Sequence, residues 1–171
     1  MLFRSAERLA RGERLGLVAP LDAQRVPPPP SNDGPQYYQA GDFVTESGEV
    51  IPNMVVCYET WGQPTAFGNN AVLLCHGSGG DRLRMGAYLG PGKPFDTNRF
   101  WVIAVDAIGS GGSSKPSTSG LGSRFPRVTI RDMVRAQCLL LTHGLGLNGL
   151  ACVAGPSMGG YQAIEWAATY P

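Results

Sequence analysis

Gly155-Pro156-Ser157-Met158-Gly159 fits the pattern G-x-S-x-G. A serine between two glycines can sit on a sharp, strained turn with its hydroxyl exposed, and the chemistry of that arrangement is nucleophilic attack on an acyl carbonyl. Glycine fills 24 of the 171 positions, so the string alone says little and its setting decides. It follows an apolar run and opens a helical pattern, the strand–turn–helix context that such a serine requires. The helix N-terminus would also favour developing negative charge. His76-Gly77-Ser78-Gly79-Gly80 follows another apolar run, where a backbone N–H can complete an oxyanion hole. The expected donors are the amides of Met158 and of Ser78 or its neighbour, each worth about 2.7–4 kcal/mol in the transition state. His76 reads as a residue anchoring that loop, not as the base. Gly109-Ser110-Gly111-Gly112-Ser113-Ser114 lacks the third glycine of a dinucleotide fingerprint, and no Walker lysine is present. It reads as a flexible loop near the mouth of the site.

These groups need elements to hold them. Ala71–Cys75, Phe100–Val105 and Leu150–Ala154 are continuous apolar runs bounded by turn formers, as fully buried strands are. Two shorter strands are expected at Asp42–Glu46 and Met54–Thr60, separated by turn signals that include Pro52-Asn53. Thr129 and Asp132 form a capping-box pair opening a helix with Ile130, Met133, Val134, Gln137 and Leu141 on one face. Gly144 and Gly146 stop it, with His143 in its last turn. A final helix is expected from Met158 to Thr169, with Tyr161, Ile164 and Ala168 as its apolar stripe. Buried strands alternating with helices predict an α/β fold with a mostly parallel sheet covered on both faces. Residues 1–35 stand apart as a flexible tail and Pro-rich linker, leaving 36–171 as the folded unit.

The composition excludes several functions. Lys and Arg number 14 against 13 Asp and Glu, so no field seeks a polyanion and charge-driven nucleic-acid binding is ruled out. No apolar stretch reaches the roughly 18 residues of a membrane span, and the Arg-rich N-terminus has no apolar signal core. The four cysteines form no CxxC pair and no metal-ligand spacing; Cys57, Cys75 and Cys152 read as small buried hydrophobes of a reducing, cytoplasmic compartment. No metal and no tightly bound cofactor is expected.

Longer motifs carry a resemblance. Tyr58-Glu59-Thr60-Trp61-Gly62, Cys75-His76-Gly77, Gly90 to Thr97, Phe125 to Gln137, Ser157-Met158-Gly159-Gly160 and Glu165-Trp166-Ala167 occur in order over residues 40–171. Together they resemble the homoserine O-acetyltransferase-like family of α/β-hydrolases. The resemblance implies an α/β-hydrolase fold, with Ser157 taking an acetyl group from acetyl-CoA and passing it to a hydroxyl acceptor. Two segments depart from the family pattern: Pro156 stands in the second place of the elbow, and Asp106-Ala107-Ile108-Gly109-Ser110-Gly111 replaces the usual Asn-Val-Leu-Gly-Gly-Cys. A serine esterase of the same fold, or another acyltransferase, is the alternative.

A serine hydroxyl needs a base, and the order in this fold is Ser, then Asp or Glu, then His. The histidines are His76 and His143, both ahead of Ser157, and Glu165 lies within a helix. The expectation is therefore an incomplete chain, truncated after the nucleophile-elbow helix and inactive alone, whose relatives carry the acid, the base and a lid in a later half. The strand Leu150–Ala154 would leave an unpaired apolar edge, which invites self-association. The partners that fit are a second copy or a complementary C-terminal half, besides the small-molecule acyl donor and acceptor. A non-catalytic interaction module using that edge is the remaining alternative.

Overall fold

A computed structural model of the protein describes residues 28–171; the Arg-rich N-terminus and most of the expected tail lie outside the described residues. Five strands, β1 (Gln36–Val44), β2 (Val50–Trp61), β3 (Ala71–Cys75), β4 (Trp101–Val105) and β5 (Cys152–Ala154), form one sheet in the order β1-β2-β4-β3-β5. β4, β3 and β5 run parallel, and β1 and β2 add an antiparallel pair at one end. All five residues of β3 are buried because it is central and covered on both faces. Ala71, Leu73 and Cys75 point to one side, Val72 and Leu74 to the other. The first side is covered by α1 (Ile130–Leu139) and α2 (Met158–Thr169), through Val134, Ala136 and Trp166. The second is covered by the segment around a 3₁₀ helix, Arg82–Tyr88, through Met85, Leu89, Phe95 and Phe100.

The outer strands differ from the sequence expectation. β1 starts at Gln36 rather than Asp42, and β2 runs from Val50 straight through Pro52-Asn53. The register jumps between Gly41↔Met54 and Phe43↔Ile51, and Asn53 takes φ 47° while its N–H donates to Asp42 Oδ1 at 3.0 Å. The Pro-Asn signal is realised as a bulge inside a strand rather than as a turn between strands. Residues 28–35 are attached at several points: Trp61 Nε1 donates to the Pro29 carbonyl at 2.9 Å, and Asn32 pairs with the backbone of Thr60 and Gly62.

The capping box of α1 is formed. Thr129 Oγ1 accepts from the Asp132 N–H, and Asp132 Oδ2 accepts from the Thr129 N–H at 3.1 Å. The helix ends in a π-helical turn, Leu140–Gly144. α2 has the expected bounds but the opposite rotation. Gly159, Gln162 and Trp166 face inward, while Tyr161 and Ile164 are 66% and 68% exposed. The inward polar groups are satisfied: Gln137 donates to Gln162, and Trp166 Nε1 donates to Gln137 Oε1 at 2.8 Å. β5 pairs only with β3, so its far edge is unpaired among the described residues. Cys152 lies on that edge and is exposed, contrary to the expectation of a buried thiol. No helix of the described residues is long and apolar enough to cross a membrane.

Candidate active site

β3 and β5 are parallel neighbours, so the loops at their C-terminal ends emerge at the same edge of the sheet. The β3 loop carries His76–Asp81 and the β5 loop carries Gly155–Ser157. Ser157 has φ 52° and ψ −119°, a strained conformation for a residue with a side chain, and is exposed. Such geometry costs about 1–3 kcal/mol and persists only where its surroundings over-determine it. They do so through the glycines. A Cβ on Gly155 or Gly159 would lie 2.1 or 2.2 Å from the Cys75 carbonyl oxygen, so only glycine lets α2 seat this closely on the end of β3. A Cβ on Gly77 would lie 3.5 Å from Ser157 Cβ, which puts the β3 loop directly beside the serine.

Ser157 and Ser78 line one open cavity of about 530 Å³. Ser78 and Met158 line a second hollow next to it, walled by Ile108, Phe125 and Met133. The three residues singled out in the sequence are thus brought together. Met158 is the first residue of α2, and the first amides of a helix have no intrahelical partner.

His76 is buried and fully engaged. Its Nε2 accepts from the Ala107 N–H at 3.0 Å, which leaves Nδ1–H to donate to the Gly77 carbonyl at 2.8 Å. It pins the β3 loop to the β4 loop, as expected of an anchoring residue. His143 lies in the π turn after α1; that helix links parallel β4 to β5, so its C-terminus sits at the sheet edge opposite Ser157. Glu165 is held by Arg131 Nε at 2.7 Å and by Thr169, and these hydrogen bonds keep its carboxyl below the ordinary range.

The 109–114 segment was expected to be a flexible loop, and the structure corrects this. Asp106, wholly buried, accepts from the N–H of Arg82 at 2.6 Å, from Arg82 Nη1 at 2.9 Å and from the Gly112 N–H at 2.7 Å. Ser113 Oγ donates to the Asp106 carbonyl and accepts from the Cys57 N–H, and Ser114 pairs with Val55 on both backbone and side chain. Arg82 also bonds Glu59. Burial alone would lower the Arg82 pKa, but Asp106, with Cys57 and Glu59, holds it above its ordinary value. The Asp106–Arg82–Glu59 cluster was missed from the sequence; its one local signal was an acidic residue closing a fully apolar strand. Among the described residues, no group of three or more His, Cys, Asp or Glu could hold a metal ion.

Comparison with known proteins agrees with this geometry. Residues 70–171 match the family model described as alpha/beta hydrolase fold. The homoserine O-acetyltransferase of Symbiobacterium thermophilum is 42% identical over 149 residues, 75% of this chain and 39% of that one. A homoserine O-succinyltransferase of Halothiobacillus neapolitanus is 39% identical, over 74% of this chain and 36% of its own. The structure of the acetyl esterase MekB superposes with a TM-score of 0.78 at 34% identity, covering 80% of this chain and 41% of that one. The chain thus spans about two fifths of the proteins it matches.

Proposed function

The chain belongs to the alpha/beta hydrolase family, and on that premise we propose that Ser157 is the nucleophile of an acyl-transfer site that works through a serine acyl-enzyme. The observation that carries this is the strained Ser157 at the strand–helix turn, held by glycines pressed against the Cys75 carbonyl. In the reaction, Ser157 Oγ attacks the acyl carbonyl and its proton passes to a base. The amides of Met158 and Ser78 take the charge that develops on the carbonyl oxygen, and collapse expels the thiol or alcohol. A hydroxyl acceptor then repeats the attack on the acyl-enzyme and carries the group away. Similarity to the homoserine O-acetyltransferase supports acetyl-CoA as donor and homoserine as acceptor. Similarity to the acetyl esterase supports a second reading, in which water is the acceptor.

Among the described residues, the candidates for a base and its acid partner are placed where they do not serve Ser157, and we assign both roles to another stretch of polypeptide. His76 is engaged at both nitrogens, His143 is at the opposite sheet edge, and Glu165 is bound to Arg131. The open edge of β5, with the hollow of about 430 Å³ beside it lined by Leu147, Val153 and Trp166, is where another stretch of polypeptide can join. The 171-residue chain alone is then inactive towards esters. The test compares p-nitrophenyl acetate turnover by this chain with that of a fusion to the unmatched C-terminal part of the Symbiobacterium relative. Background rates are expected for the first, and turnover that Ser157→Ala abolishes for the second; added homoserine divides transferase from esterase. Fusion turnover that survives Ser157→Ala refutes the nucleophile, and Ser157-dependent turnover by the chain alone refutes the external base.

A further inference from the structure

Residues 77–81 of the β3 loop, which carry the Ser78 amide, are gripped at both ends by two consecutive residues at the end of β4. Ahead of them, His76 Nε2 accepts from the Ala107 N–H at 3.0 Å. Behind them, the Arg82 N–H donates to Asp106 Oδ1 at 2.6 Å. Between those two points the loop closes on itself. The Gly80 N–H donates to the Gly77 carbonyl at 3.0 Å, and Gly79 takes φ 69°, the left-handed region that glycine tolerates. The amides of Ser78 and Gly79 lie inside that turn and are not used in closing it. The loop also abuts the elbow: a Cβ on Gly77 would lie 3.3 Å from the Pro156 carbonyl oxygen and 3.5 Å from Ser157 Cβ. A shift at either end of the loop therefore moves Ser78 relative to Ser157.

Asp106 is placed to resist such a shift. Its carboxylate is wholly buried and accepts two further bonds, from Arg82 Nη1 at 2.9 Å and from the Gly112 N–H at 2.7 Å. Gly111 wraps it so closely that a Cβ there would lie 2.2 Å from the carboxylate carbon. Three donors around an ionised acceptor hold it in one position. A side-chain amide of the same shape has a single acceptor oxygen and would turn its NH2 towards a donor. Resting on the reading of Ser157 as nucleophile, we propose that Asp106 is a positioning residue of the oxyanion hole: its carboxylate fixes the far end of the β3 loop and so preforms the pair of amides, Ser78 and Met158, in the 171-residue chain itself.

Methylphosphonate, a tetrahedral anion shaped like the intermediate of acyl transfer, reads the hole without any turnover. Titrated into the full 171-residue chain, it is expected to give saturable NMR shifts at the Ser78 and Met158 amides. Asp106→Asn is expected to weaken that binding about tenfold, because a displaced Ser78 amide forfeits one hydrogen bond to a charged ligand. The sign is diagnostic: by Coulomb attraction alone, removing a negative charge beside an anion site tightens binding. Ser113→Ala is the control for stability, because its hydroxyl is bonded to the Asp106 carbonyl and the Cys57 N–H rather than to the carboxylate. It is expected to lower the urea midpoint and leave methylphosphonate binding unchanged. Where Asp106→Asn loses the parent's dispersed amide spectrum, His76→Gln loosens the other end of the loop and carries the same expected weakening. Failure of the parent to bind, binding that Asp106→Asn leaves unchanged or tightens, or an equal loss in Ser113→Ala overturns the proposal. None of these readouts involves acylation, so refuting the Asp106 clamp leaves the Ser157 assay untouched, and the reverse holds.

Discussion

Gly159→Ala isolates the close seating of α2 on the end of β3. Its new Cβ would lie 2.2 Å from the Cys75 oxygen and 2.8 Å from the Cys75 carbonyl carbon, where real Cβ contacts essentially never fall below 3.0 Å. Both atoms are backbone, so no rotamer change relieves the overlap. The first turn of α2 must retreat by at least about 0.8 Å, and Ser157 moves with it. Two terms then oppose each other. Alanine gains roughly 0.8–1.0 kcal/mol of helix propensity over glycine, while overpacking typically costs about 1–3 kcal/mol. Rigid carbonyl contacts belong at the upper end of that range, so a net loss of about 1–2 kcal/mol is expected. Gly160→Ala is the control: its Cβ meets the Gly155 oxygen at 3.3 Å, which a few tenths of an ångström relieve, so with the same propensity gain its stability should equal the parent's or exceed it by up to about 1 kcal/mol. Urea unfolding reads both, followed by the fluorescence of buried Trp61 and Trp166 and repeated at two protein concentrations to exclude association. A displacement near 1 Å can also cost about a hundredfold in rate, measurable in the active fusion. If Gly159→Ala unfolds at the parent's urea concentration or above, the packing argument for the elbow is wrong.

Ser157→Gly should raise stability by about 0.5–2 kcal/mol while removing the proposed nucleophile, because glycine takes φ 52° without the side-chain strain but adds entropy to the unfolded chain. Ser157→Ala keeps the strain and should show no such gain; equal unfolding midpoints for the two would refute the strained elbow. The cysteines divide by environment. Burial pushes the Cys57 thiol up to about 11, with Asp106 adding and Arg82 opposing, and pushes Cys75 up to about 12. Iodoacetamide at pH 8 followed by peptide mass spectrometry should therefore modify exposed Cys152 and leave Cys57 and Cys75 intact. As pH rises through 9 the unfolded thiols lose protons that the folded ones keep, so this stability is fully present well below pH 9 and falls from about 9 towards 11 for Cys57 and 12 for Cys75. A flat stability profile across that window would contradict the burial of both thiols.

Much of the site was legible because its determinants are local. Apolar runs ended by turn formers or an acidic residue marked β3, β4 and the approach to Ser157, and the Thr129–Asp132 pair marked the start of α1. A capping box and a strained turn each rest on residues within five positions of one another, and sequence order preserves that distance. Pro52-Asn53 shows the limit. The same dipeptide serves a turn or a bulge, and the presence of β1 alongside chose the bulge.

The sequence by itself determined the type and order of the main strands and helices, the serine at the strand–helix turn, and the two histidines, both ahead of that serine. Tertiary structure decided rotation, pairing and charge. α2 buries Gln162 and Trp166 because Gly159 must face the Cys75 carbonyl, and residues three and seven positions further along a helix share its face. Tyr161 and Ile164 are therefore turned outward, whatever their hydropathy. Arg82 and Arg84 are two residues apart in one short helix, yet one is drawn inward to Asp106 and Glu59 while the other lines the Ser157 cavity. Those partners lie more than twenty residues away in the chain. A buried ion pair depends on distances that only the folded backbone sets.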